Sequence, residues 1–318
     1  MKRYDLVVLG DLVADVIIPV ERLPLVAGFQ GWAEGIFVEP GGAGNVLVGA
    51  RRLNLRTATL GTIGSDNYGR NMLQMLADCG VITDYVAICP SRQTILCVVL
   101  ADKLGQHLFL GIKDNCGTWP FLHSWHAVIS ESRALFTDGY TVRDVLDCSD
   151  LLAALATAHR ATVDVFFDPG PSIPFIDPAL LSKVLRASTV LLVTELEATL
   201  LYEALKCTQQ LSAILEMGPR VVVLKRGAAG CTIATATGTF DVSPFDVTVQ
   251  DTVGAGDAFA AAFIAGWLRG GALTQCGTLA NAMGALTSTK RGAGTRIPRS
   301  EELHTMLGHM PNIRVLIG

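Results

Sequence analysis

The sequence predicts an α/β protein whose mostly parallel sheet is covered by helices and carries a small inserted β-sheet. Short apolar runs recur along the chain, stretches of helical period separate them, and two segments break the alternation. The runs at 6–9, 134–136, 163–167, 190–193 and 221–224 are too short for helices, and several are rich in valine. Such near-continuous hydrophobicity suits strands buried on both faces. Helical period fills 45–53, 71–79, 144–159 and 178–185. Segments 16–38 and 92–113 lack it, and the second places 94–100 and 106–112 around the turn-forming Asp102-Lys103-Leu104-Gly105. These read as antiparallel strands inserted into the main domain, either a lid over the C-terminal edge of the sheet or a surface hairpin outside the chemistry. No linker, repeat or low-complexity tract divides the 318 residues, so one domain over 1–318 is expected, with the lid at about 16–38 and 92–113.

Composition narrows the function. Half the residues are apolar and 17% are charged, which excludes an extended disordered chain. The net charge is −4 and no run of Lys or Arg exceeds two residues, so the electrostatic footprint of a nucleic-acid binder is missing. Eight cysteines form no CxxC pair and read as free thiols, and six scattered histidines include only His123 and His126 at helical spacing, with no zinc motif. No stretch reaches the roughly 18 apolar residues of a membrane span, and Asp11 and Asp15 interrupt the apolar N-terminal segment, which reads as a strand. A cytoplasmic protein is expected. Neither a GxGxxG turn after a strand nor a GxxxxGK[ST] loop is present, so any nucleotide is held by another route. Trp119, Phe121 and Trp125 cluster in sequence and read as core or loop anchors.

The chemistry concentrates in two glycine-rich turns. Asp251-Thr252-Val253-Gly254-Ala255-Gly256-Asp257 opens an apolar helical stretch, where unsatisfied N–H groups and the helix dipole favour an anion. An aspartate beside bound phosphate would repel it unless it accepts a proton, which makes Asp257 a candidate base. Read alone, the same motif also suits a helix cap or a tight packing contact. The second turn, Glu39-Pro40-Gly41-Gly42-Ala43-Gly44-Asn45, feeds another helix and offers bare backbone plus an amide to a hydroxyl-rich ligand.

With both motifs in view, nearly the whole chain resembles the ribokinase-like (PfkB) carbohydrate kinase family. The resemblance is carried by DTVGAGDAFAAAF and PGGAGNVLVGARRLNLRTATLGTIGSDNYG. It implies a three-layer αβα fold with a mostly parallel central sheet and a β-sheet lid. The implied activity is transfer of the ATP γ-phosphoryl group to a hydroxyl, expected to be primary, of a sugar or sugar-like acceptor. A nucleoside is the alternative acceptor. A sugar phosphate is disfavoured by Ala43, which stands where a lysine would serve it, while Arg92, Lys103 and Lys113 keep it open. A non-catalytic binding protein on the same fold is the rival from another class, and the intact Asp257 motif argues against it.

Residue by residue, the resemblance makes Asp257 the base and Gly254, Ala255 and Gly256 the anion hole. Asp11, Asp15, Gly41, Gly42 and Asn45 would bind the acceptor, and Lys225, Gly227, Gly230 and Asn281 the nucleotide. Glu197 would act on Mg²⁺ through water. Lid edges would pair two copies into a homodimer. Three departures carry consequences. Two residues rather than three separate Gly42 from Asn45, which alters the acceptor loop or the direction of Asn45. Thr194 replaces the asparagine of the family's Asn-x-x-Glu, with Glu197 kept and Mg²⁺ expected to remain essential. Arg296 lies in 287–296, a stretch that helps bind a monovalent cation in potassium-activated members. An Arg296–Asp251 ion pair is the expected replacement, and a bound monovalent cation is not expected.

Overall fold

The first strand, β1 (Tyr4–Leu9), sends Leu6 and Val8 into one hydrophobic core and Val7 and Leu9 into another, so its sheet is buried on both faces. The computed structural model describes residues 2–318. After β1 come β2 (Leu12–Pro19), β3 (Phe37–Gly42), β4 (Thr57–Leu60), β5 (Thr62–Gly64), β6 (Ala87–Cys89), β7 (Ile95–Ala101) and β8 (His107–Ile112). The rest are β9 (Ser132–Asp138), β10 (Asp164–Asp168), β11 (Val190–Thr194), β12 (Val221–Lys225), β13 (Cys231–Thr235) and β14 (Gly238–Val242).

The main sheet has eight strands in the order β14-β13-β12-β11-β10-β9-β1-β4. Its six strands from β12 to β4 are parallel, and β13 and β14 add an antiparallel edge. All five apolar runs expected as strands lie in it. Helices Ala43–Arg52, Ala255–Leu268 and Leu273–Ser288 fill one face, while Cys148–Arg160, Pro178–Ala187 and Glu195–Leu205 fill the other, which completes the three layers. Among the described residues no helix is long and apolar enough to cross a membrane.

The chain reverses direction across the sheet between β1 and its neighbours. From β1 it moves outward to β4, then returns to β9 on the other side. Ligands of parallel sheets gather at the C-terminal ends of strands flanking such a switch point. Asp11 follows β1, Asp138 ends β9, Asp168 ends β10 and Lys225 ends β12.

The lid is a separate four-stranded sheet of order β3-β2-β7-β8, antiparallel except where β2 runs parallel to β7. Its second segment falls within 92–113, but its first extends beyond 16–38, to Leu12 and Gly42. Glycines and aspartates masked this strand character, although β2 is buried from Leu12 to Val16 and pairs Val13 with Gly41 and Asp15 with Glu39. The helix expected over 144–159 is also split. A π-helical turn, Thr141–Val145, precedes Cys148–Arg160, whose N-cap Asp147 accepts a bond from the Ser149 amide.

Candidate active site

Helix Ala255–Leu268 begins at Gly254, whose φ of 70° lies in the left-handed region. A Cβ there would overlap the Ala293 side chain, so both conformation and space demand glycine. The Ala255 amide donates to the Thr252 carbonyl at 3.2 Å, while the Gly256 amide, in the first turn, has no intrahelical acceptor. Asp257 lies in this first turn, and its Oδ2 accepts a hydrogen bond from Asn45 Nδ2 at 2.8 Å. The Asn45 Oδ1 in turn accepts from the Gly294 amide at 2.7 Å. Despite the short spacing after Gly42, Asn45 therefore points at the candidate base, and both of its polar atoms hold that orientation.

Opposite Asp257 stand Asp11 and Asp15, both buried. The glycine pair explains how they fit: a Cβ on Gly41 would overlap the Asp15 carboxylate, and one on Gly42 would lie 2.8 Å from Asp11 Oδ1. That Oδ1 is buried without a hydrogen-bond partner, which is costly for a carboxylate and leaves an acceptor open to a donor. Asp138, at the end of β9, completes the group and accepts from the Thr141 amide at 2.8 Å.

Crowding four carboxylates out of water raises all of their pKa values. Burial, then the Asp15 charge, pushes Asp11 up to about 7. Asp15 also reaches about 7, through burial and then the charges of Asp257 and Glu39. Asp138 is held well above the usual carboxylate range by burial and Asp11. Asp257 rises to about 6, chiefly by burial, with the Asn45 hydrogen bond restraining the rise. Of the four, only Asp257 accepts a hydrogen bond from a side-chain amide, that of Asn45, which favours its ionised form. Cys97 and Tyr140 feel the same charges: burial and then Asp15 raise the thiol to about 11, and burial and then Asp11 raise the phenol to about 12. Cys97 lies directly across from Asp15 in the lid sheet, and Tyr140 follows Asp138 by two residues, so both border this group of carboxylates.

On the nucleotide side, Lys225 Nζ contacts Asp168 Oδ2 at 2.6 Å. Burial alone would lower the lysine pKa, but the Asp168 and Glu197 charges outweigh it and raise the value. A Cβ on Gly256 would come within 3.7 Å of this ammonium, so a fixed cation stands beside the anion loop. Gly227 faces open space, whereas Gly230 is required by the close approach of the Val242 carbonyl. Asn281 Nδ2 donates to the carbonyls of Val242 and Ser243 at 3.2 and 2.9 Å, so only its Oδ1 is left to address a nucleotide.

Glu197 is partly committed to structure. Its Oε2 accepts from the Thr194 amide at 2.7 Å, and Thr194 Oγ1 accepts from the Glu197 amide at 3.3 Å. This capping box accounts for threonine in place of asparagine. No group of three candidate ligands converges on one point among the described residues. The Glu197 and Asp168 carboxylates fit Mg²⁺ that keeps its water shell and rests mainly on nucleotide phosphates.

The expected Arg296–Asp251 ion pair is not formed. Arg296 Nε lies 3.6 Å from Glu39 Oε1, and its guanidinium sits 5.0 Å from the Phe37 ring centroid. Asp251 is matched instead by His107 of β8, with Nε2 2.8 Å from Oδ1. Sequence reasoning therefore missed His107, together with Asp138 and Asp168. The aspartates left a signal, since each ends a buried apolar run and is followed by Gly139 or by Pro169-Gly170. That is the C-terminal strand edge where site residues collect.

The chain is similar to known kinases over nearly its whole length. A family model described as pfkB family carbohydrate kinase matches residues 3–300. An ATP-dependent ribose-1-phosphate kinase of Halopiger xanaduensis is 32% identical over 283 residues, spanning 88% of this chain and 90% of that protein. An uncharacterized sugar kinase of Archaeoglobus fulgidus is 31% identical over 261 residues, 80% of this chain and 99% of the relative. Among solved structures, Arabidopsis thaliana ribokinase complexed with ribose and ATP superposes with a TM-score of 0.81 at 24% identity, covering 96% of this chain and 98% of that one.

Proposed function

The chain belongs to the pfkB family of carbohydrate kinases, and from that premise we propose that it moves the ATP γ-phosphoryl group onto a hydroxyl, expected to be primary, of an uncharged sugar or sugar-like acceptor. The observation that carries this reading is Asp257, held by Asn45 at the mouth of the Gly254-Ala255-Gly256 turn and facing Asp11 and Asp15. Asp11 and Asp15 would hold acceptor hydroxyls, the first through its unpartnered Oδ1. As the acceptor oxygen bonds to the γ-phosphorus, its proton passes to Asp257 and the bond from phosphorus to the bridging oxygen breaks, releasing ADP. The amides at the helix start and the Lys225 ammonium stabilise the equatorial phosphoryl oxygens. Mg²⁺, when bound with the nucleotide, neutralises phosphate charge, and Glu197 and Asp168 would orient its water. Closure of the lid keeps bulk water from competing for the phosphoryl group.

An uncharged acceptor is supported by the chamber walls, which combine carboxylates, a thiol and a phenol. Two of the basic candidates are engaged elsewhere: Arg92 with Asp114 at 2.7 Å and Lys103 with Glu34 at 3.6 Å. A sugar phosphate is the second reading, favoured by the Halopiger relative. Lys113 and Arg143 share Asp144 at 2.9 and 3.1 Å, within the turn that begins at Thr141, the residue bonded to Asp11 and Asp138.

The test is ADP release from Mg·ATP with free sugars, sugar acids, nucleosides and sugar phosphates, each beside the Asp257→Asn variant and in potassium or choline chloride. One strong free-sugar signal that vanishes in the variant and changes less than about twofold with potassium is expected. Response only to nucleosides or to sugar phosphates would displace the proposed acceptor, and a signal surviving in the variant would remove Asp257 from its role. Strand β8 is a lid edge exposing Leu108, Phe109, Leu110 and Ile112, which supports a homodimer paired through the lid. Sedimentation at micromolar concentration should give twice the chain mass; a monomer there would reject it.

A further inference from the structure

We propose that His107 is a positioning residue that ties the lid to the phosphoryl-transfer loop through Asp251. The two side chains keep only 10% and 7% of their accessible surface, so the contact lies inside the junction between lid and main domain. Asp251 is the hub. Its Oδ1 lies 2.8 Å from His107 Nε2, a close approach whose angle falls short of a hydrogen bond and leaves that buried nitrogen without another partner, and it accepts from the Val253 amide at 2.9 Å, one residue before the start of the anion turn. Its Oδ2 accepts from the Gly292 amide at 2.7 Å. Two residues further on, the Gly294 amide binds Asn45, which binds Asp257. A series of close polar approaches, joined by the backbone from Gly292 to Gly294, thus runs from a lid strand to the candidate base and touches both loops beside Gly254.

Neighbouring contacts show that the lid is seated on this junction. A Cβ on Gly105 would come within 3.3 Å of the Gln250 carbonyl, so the turn between β7 and β8 rests on the residue before Asp251. The turn is itself braced by Asp102, which accepts from the amides of Leu104 and Gln106 at 2.8 Å and of Leu23 at 3.1 Å. Beside the contact, a cavity of about 160 Å³ separates lid from loop, lined in part by Ile17, Phe37, Arg291 and Arg296. The carboxylate that a monovalent cation would need is therefore engaged by the lid and by two amides. These residues do not fit such a cation, and a protein group takes its place. The lid strand that carries His107 would then also align the loop that handles phosphate, so that a raised lid leaves the base and the anion turn less ordered.

This inference draws on the kinase reading only for its effect on rate, and the experiment separates the two. His107 stacks on Phe109 with ring centroids 5.9 Å apart and planes at 29°, so His107→Phe keeps the packing and removes only the polar contact. His107→Gln restores an N–H able to reach Asp251. Backbone hydrogen exchange over 250–256 and 291–296 should be about tenfold faster in His107→Phe than in the wild type, and within about threefold of wild type in His107→Gln. With the best acceptor, kcat should fall about tenfold in His107→Phe while the acceptor KM changes less than about twofold, and His107→Gln should recover most of the loss. Equal exchange in the two variants, whether fast or slow, would overturn the tether. A difference in exchange without phosphoryl transfer by the wild type would uphold the tether and remove the kinase reading instead.

Discussion

Asp257→Asn is expected to lower kcat by about a thousandfold, the scale of a lost general base on a transferring group. The substitution is nearly isosteric, and the new side-chain oxygen can still accept from Asn45 Nδ2, so the turn at Gly254 keeps its support. What disappears is the ability to take the acceptor proton. The pH profile gives an independent check. Burial raises Asp257 to about 6, and only the ionised form works as a base. For the wild type, log kcat/KM should therefore climb with unit slope below about pH 6 and level off above it, while the residual rate of the variant lacks that step. Stopped assays of ADP release at saturating Mg·ATP measure both. A variant within tenfold of wild type would mean that positioning alone carries the reaction.

Replacing Lys225 by methionine should cost about 3 kcal/mol of folding stability, because it strips the partner from charges that stay out of water. Lys225 and Asp168 are only 11% and 12% exposed, and Glu197 feels both of them. Methionine fills the space of the stem without offering a charge. Urea unfolding of the unliganded protein measures the loss, and Lys225→Met combined with Asp168→Asn should regain most of it, since the two groups act as one unit. A loss below about 1 kcal/mol in the single variant would show that solvent already screens the pair. The double variant should stay poor in nucleotide use, because neutrality restores the fold but not the cation beside the anion loop.

The parts legible in the sequence were those whose physics is local. Buried parallel strands announce themselves as short apolar runs, and all five such runs lie in the main sheet. The two glycine turns were legible because glycine is demanded by backbone shape or by an approaching group, and Gly41 and Gly254 each prove to have no room for a side chain. What sequence reasoning missed depends on which strands become neighbours. Asp138 and Asp168 look like ordinary turn starters until the order β10-β9-β1 brings them beside Asp11 and the nucleotide side. The Arg296–Asp251 pair implied by the resemblance at a cation site gives way to His107, which reaches Asp251 from the lid sheet, while Arg296 turns to Glu39. The break before Cys148 was hidden because apolar period runs through 144–159, although Asp147 caps the helix that follows.

The bond between Asn45 and Asp257 joins residues 212 positions apart. Local folding cannot bring such groups together, because the intervening chain must first be ordered. During synthesis the acceptor half, with Asp11, Asp15 and Asn45, leaves the ribosome long before the base and its anion turn exist. A growing chain without its last quarter lacks helices Ala255–Leu268 and Leu273–Ser288 and so leaves one face of the sheet partly bare. Under the proposed function, the last quarter of the protein must dock onto the first before ATP could be cleaved, so a chain that stalls midway would not become a wasteful ATPase.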